Sequence, residues 1–121
     1  MTFINDKSEV RLLENGVFFV SYKDDVCCDK EDFEVVVDNY VEIGKGEYMK
    51  VLVNFPQYTS ITYEAHTFLQ NRPIPAIAEA VVFQSLAQRI LFSVYSKIRK
   101  QKNPVKGFNC EKKAMEWLEN L

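Results

Sequence analysis

Two apolar runs constrain the fold of this chain more than any other feature. Tyr48-Met49-Lys50-Val51-Leu52-Val53-Asn54-Phe55 and Ala78-Glu79-Ala80-Val81-Val82-Phe83 lack the strict polar alternation of a half-solvated strand. Strands of that kind are stable where both faces of their sheet are covered. Pro56 closes the first run. The two runs therefore predict interior strands, side by side and sandwiched between helices.

The flanking segments supply the cover. Glu9–Leu13 and Val17–Tyr22 are β-rich and separated by Glu14-Asn15-Gly16. Asn-Gly accepts positive φ at both positions, which marks a hairpin. Asp29 is a candidate N-cap for a helix over residues 30–43. Phe33, Val36, Val37, Tyr40 and Val41 recur along one face of it, and Gly44 or Gly46 ends it. A second helix carries Ala65, Phe68 and Leu69, with Thr59, Ser60 and Thr62 as candidate caps, and stops at the Asn71-Arg72-Pro73-Ile74-Pro75 turn.

Ser85 with Gln88 is a capping-box pair. It opens a third helix with Leu86, Ile90, Leu91, Val94, Tyr95 and Ile98 at apolar positions. After Asn103-Pro104, Val105–Phe108 reads as a short edge strand. A last helix from Glu111 to about Asn120 follows, with Asn109 as its candidate cap. The order is β-β-α-β-α-β-α-β-α. It predicts one α/β domain over residues 1–121, with a mixed sheet of about five strands and helices on both faces. The first strand runs antiparallel and the rest parallel through right-handed crossovers.

This pattern resembles the STAS (SpoIIAA-like) domain family, and more narrowly its small stand-alone bacterial members of unknown function. Three stretches carry the likeness. They are Val51-Leu52-Val53-Asn54 with Ile61-Thr62-Tyr63-Glu64-Ala65, Ala80-Val81-Val82 with Ser85-Leu86-Ala87-Gln88-Arg89, and Phe108 with Ala114-Met115-Glu116-Trp117-Leu118. The resemblance implies a non-enzymatic regulatory module, with a phospho-acceptor Ser or Thr where the helix after the third strand begins. Asn54, Thr59, Ser60 and Thr62 lie there. Asn54 stands in place of the family's aspartate, Ile61 replaces the small residue after the serine, and the spacing is shorter.

Beside that reading stands the plain one, helix capping in a polar turn. Related folds of the CRAL-TRIO type imply an alternative, a carrier of a small ligand or lipid, with Phe92 and Tyr95 lining its pocket or simply packing the core.

The charged and nucleophilic residues exclude more than they assign. His66 is the sole histidine and has no partner at metal-ligand spacing on its helix, so it is expected to point sideways or outward. Gly44-Lys45-Gly46 lacks the spacing of a phosphate loop. No metal, cofactor or enzymatic role is expected.

Cys27, Cys28 and Cys110 form an odd set with two adjacent members. That argues for small reduced thiols in a cytoplasm rather than a disulfide framework. The N-terminus does not read as a secretory signal, and no run approaches the ~20 apolar residues of a membrane span.

Residues 1–60 hold 6 Lys/Arg against 12 Asp/Glu, and residues 61–121 hold 9 against 5, giving -6 and +4. Lys97, Arg99, Lys100 and Lys102 form a basic contact patch or a solvated helix end. With no interleaved aromatics and an acidic chain, nucleic acid is not the expected partner. A protein partner (a homodimer included) is, with the exposed end around Asn54 to Thr62 as its contact surface.

Overall fold

The structure, a computed structural model, describes residues 2–71, 76–99 and 103–121. Strands β1 (Thr2–Ile4), β2 (Ser8–Leu12) and β3 (Phe18–Tyr22) lead to a short β4 (Cys27–Cys28) and helix α1 (Lys30–Gly44). Then come β5 (Lys50–Asn54), a short β6 (Ser60–Ile61), α2 (Tyr63–Asn71), β7 (Ala78–Val82), α3 (Leu86–Ile98), β8 (Val105–Phe108) and α4 (Glu111–Glu119).

The main sheet has six strands in the order β1-β2-β3-β5-β7-β8. β1 pairs with β2 and β2 with β3 antiparallel, while β3·β5, β5·β7 and β7·β8 are parallel. Only β2 therefore runs against the other five. The two apolar runs are neighbours, with Leu52 opposite Ala80 and Val53 opposite Val81. Two features exceed the sequence expectation of about five strands. β1 adds an exposed edge through pairs such as Phe3 with Val10. In addition, β4 and β6 pair in parallel as a separate ribbon, Cys27 with Ser60 and Cys28 with Ile61, in segments too short to show periodicity.

Local chemistry explains the ends of the elements. Between β2 and β3, Leu13 N–H donates to the Val17 carbonyl at 2.9 Å, and Gly16 sits at φ +85°. Such a φ favours glycine. Asp29 caps α1 and forms a capping box with Asp32, whose carboxylate accepts from Asp29 N–H at 2.7 Å. The α1 C-terminus turns through Lys45 at φ +51° and Gly46 at φ +83°. Ser85 and Gln88 make the expected box on α3. α4 departs from expectation: its N-cap is Cys110, without a side-chain bond, and not Asn109.

β3, β5, β7 and β8 follow one another across the sheet in chain order. Right-handed crossovers advancing in one direction must place their helices on one face. Accordingly α1, α2 and α3 form a layer on one side, and α4 alone covers the other. On the three-helix side, Val10, Phe18, Val20, Tyr22 and Val51 pack against Phe33, Val36 and Tyr40 of α1 and Ala65 of α2. On the other, Val17, Phe19, Leu52, Ala78, Ala80 and Val82 pack against Ala114 and Leu118 of α4. No described helix is long and apolar enough to cross a membrane.

Candidate functional site

The three-helix layer is not tightly closed. α1 presses Phe33 and Tyr40 onto the sheet: Phe18 meets Tyr40 edge-on with ring centroids 5.1 Å apart, and Tyr22 lies between Phe33 and Phe55. α3 does otherwise. None of its thirteen residues is buried. Its inward face reaches the sheet mainly through Phe92, whose ring lies 5.3 Å from that of Phe83. That approach needs Gly107 on β8, where a Cβ would come within 2.6 Å of the Phe83 ring and 2.9 Å of Phe92.

Beneath α3 the layer leaves a cavity of about 140 Å³, open on one side. Val53, Val81 and Phe83 form its floor, and Leu91, Phe92 and Tyr95 its roof. A dry apolar cavity of about 150 Å³ holds a molecule such as benzene, so the space is of ligand size.

Two of the polar groups at the cavity, Glu79 and Tyr95, belong to a buried cluster. Glu79, the second residue of β7, is only 8% exposed. Its carboxylate meets Arg99 Nη1 at 3.1 Å and accepts from the Tyr95 hydroxyl at 3.4 Å. Arg99, 6% exposed, also donates to Asn103 Oδ1 at 2.8 Å and to the Asn103 carbonyl. Burial pushes the Glu79 carboxyl above its usual range, against the pull of Arg99. Burial likewise raises the Tyr95 phenol far up, helped by the neighbouring carboxylate. Arg99 Nε and Asn103 Nδ2 have no partner among the described residues. A fixed carboxylate, phenol and guanidinium beside an apolar space can orient a ligand. They include no nucleophile and base in line.

His66 bridges α2 to α3. Gln70 Nε2 donates to Nδ1 at 2.8 Å, which leaves the proton on Nε2, 3.3 Å from the Leu91 carbonyl. The side chain is half-buried and lines the cavity, so of the two expected orientations, sideways or outward, it takes the sideways one. Gln88 does more than cap: its Nε2 donates to the Thr59 carbonyl at 2.8 Å and to that of Pro56. The start of α3 is thereby fastened to the loop after β5.

The predicted contact loop is largely occupied with its own structure. Thr59 is buried and donates to the Lys23 carbonyl at 2.6 Å. Thr62 donates to Asp29 Oδ1 at 2.7 Å and accepts from Ala65 N–H at 3.1 Å, capping α2. The Thr62 bond and the Lys30 N–H hold the Asp29 carboxyl below its usual range. Ser60 is exposed on β6, and Asn54 half-buried at the end of β5, opposite Val82. Of the basic patch, Lys97 is exposed. Arg99 is a buried partner of Glu79 and not a surface cation, while Lys100 and Lys102 lie outside the described residues.

Cys28 is buried, its thiol pushed up to about 11 by desolvation and the Asp32 charge. Cys27 is exposed and all three thiols are free. No group of three or more His, Cys, Asp or Glu able to hold a metal occurs among the described residues.

Sequence reasoning missed the Glu79–Arg99 pair. A lone Glu in an apolar strand run and an Arg after an amphipathic helix are the available signal, because a carboxylate buried that way needs a cation.

Fold and cavity together define a mixed α/β domain with a small apolar site between its sheet and one helix. The family model for a domain of unknown function, DUF7793, matches residues 11–121, and the chain belongs to that family. No curated protein and no solved structure matches it.

Proposed function

We propose that this domain is a non-enzymatic binding module whose cavity beneath α3 takes a small apolar ligand. The observation that supports the reading is the cavity itself, apolar on floor and roof and bordered by the fixed Glu79, Tyr95 and Arg99 cluster. Ligand sites in α/β domains have this make-up, mostly apolar walls with a few placed polar groups. A benzene-sized body with one polar substituent directed at Glu79 or Tyr95 fits the volume.

Native mass spectrometry of protein purified from its own host tests this. A retained small molecule supports the carrier reading, as does a rise in unfolding temperature with benzene or phenol that Leu91→Trp abolishes. Protein that is empty, and indifferent to such probes, contradicts it.

The second reading is a STAS-like cytoplasmic regulatory module with a protein partner. What favours it is Ser60, exposed on β6 at the carboxyl end of the parallel strands, where such a contact loop was expected. Ser60→Asp then alters binding of that partner. Absence of Ser60 phosphate in cells, together with unaltered binding, removes that reading.

A further inference from the structure

The outward sides of the three-helix layer carry opposite charges at its two edges. α1 holds Lys30 against Glu31, Glu34, Asp38 and Glu42, a balance of -3, Asp32 being paired with Lys7 at 3.0 Å. α3 holds Arg89 and Lys97 and no acid, a balance of +2. Both helices also leave aliphatic side chains in water. On α3 these are Leu86, Ile90, Val94 and Ile98, spaced by four along one ridge and 73%, 56%, 42% and 55% exposed. On α1 they are Val35 and Val41. Between them, at the start of α2, Tyr63 is 84% exposed. Helices with an apolar inner face usually turn a polar face outward, and α3 does not.

We propose that this layer docks on a second copy of itself about a two-fold axis running along α2, with α3 of each copy against α1 of the other. Charge complementarity selects this arrangement. A two-fold axis along α2 exchanges the two edges of the layer, so acidic α1 meets basic α3 twice. An axis across the helices would set α1 on α1 and α3 on α3, like charge on like.

The spacing fits as well. Both helices start at the carboxyl end of the parallel strands, and this axis keeps them running the same way. Glu34 and Glu42 are eight residues apart, as are Arg89 and Lys97, about 12 Å along either helix. One register satisfies both ion pairs and brings Val35 to Ile90. Three helices spaced about 10 Å apart, α1 and α3 about 20 Å long and the nine-residue α2 about 14 Å, offer the footprint of a small but specific interface. Because the contact is isologous it closes at two copies. The inference is independent of what the cavity holds.

Sedimentation equilibrium of the purified chain is the test. The expected result is a particle of twice 14.1 kDa at low salt that dissociates as salt rises. Glu42→Lys and Lys97→Glu each weaken the dimer by about tenfold, since each change acts at two places. The chain carrying both changes recovers most of the affinity, because the reversed charges again face each other. Ile90→Asp, on an exposed site, yields monomer with an unchanged far-ultraviolet circular dichroism spectrum.

A wild-type monomer at all concentrations overturns the proposal. So does a dimer insensitive to the single reversals, or a double reversal no better than either single one. A monomer that floats with anionic phosphatidylserine vesicles through the α3 ridge also overturns it, and makes the partner a membrane surface.

Discussion

α3 and α4 are both amphipathic helices that follow parallel strands, yet they are attached to the sheet in opposite ways. α4, nine residues long, is held by its face: Ala114 and Leu118 are fully buried over Leu52, Ala80 and Val82. α3, thirteen residues long, fully buries none of its residues and, apart from the Phe92 contact, is held by its ends. At its start the Ser85–Gln88 box and the Gln88 bonds to the Pro56 and Thr59 carbonyls fix it. At its end Arg99 is fixed by Glu79 and Asn103. A face-held helix gains its stability from apolar area removed from water. An end-held one can leave space beneath it and apolar surface above it.

The contrast predicts which changes are costly. Glu79→Ala should be the most damaging, by about 4 kcal/mol in denaturant unfolding, because it strands the Arg99 charge inside the protein. A loss below about 1 kcal/mol would mean that the pair is solvated and does not anchor α3. Leu118→Ala should cost about 3 kcal/mol through the cavity it leaves under α4, and a near-neutral result would show that the face of α4 does not hold it. Gln88→Ala, which removes a cap and the tie to the loop, should cost about 1 kcal/mol. Amide exchange should quicken in α3 and stay unchanged in α4; faster exchange in both would erase the distinction.

The subtlest effect is a slope with pH. Above 4.5 an unfolded Glu has released its proton, whereas folded Glu79, its carboxyl raised by burial, still holds one. The folded state then binds the extra proton, so this contribution to stability is full below 4.5 and is lost as pH rises through the raised folded value. Glu79→Gln removes that decline. A difference between wild type and this variant that is flat from about pH 4 to about pH 8 contradicts it.

Thiol labelling gives a further check on the three-helix side. Cys27 should react with a thiol reagent in the folded protein, and Cys28, buried and with its thiol raised to about 11, only on unfolding. Equal rates would place Cys28 at the surface.

Most of the fold was legible because it rests on local signals. The runs at Val51–Val53 and Ala80–Val82 marked interior strands, Asn15-Gly16 the hairpin, and Asp29 and Ser85 the starts of α1 and α3. Edge β1 and the β4–β6 ribbon were not, since three or two residues carry no period and depend on partners distant in sequence. The candidate site was less legible still. The apolar pattern of α3 fits a core helix as well as a pocket wall, and the choice depends on how far the helix stands from the sheet, where Phe92 and Tyr95 roof a space instead of filling it. Arg99 illustrates the same limit. Within Lys97–Lys102 it looks like one of several solvated cations, yet Glu79, twenty residues earlier, draws it inside.

Strand order matching chain order has a consequence for how the protein is made. Each parallel strand can add to the one synthesised before it, with its crossover helix laid down on the same side. The opposite side, with Leu52, Ala78, Ala80 and Val82, stays bare until residues 111–119 emerge and α4 swings over it. A ribosome-bound chain stopped at Phe108 would thus expose one greasy flank of a nearly finished sheet. That is the moment in biosynthesis when a chaperone has most to hold.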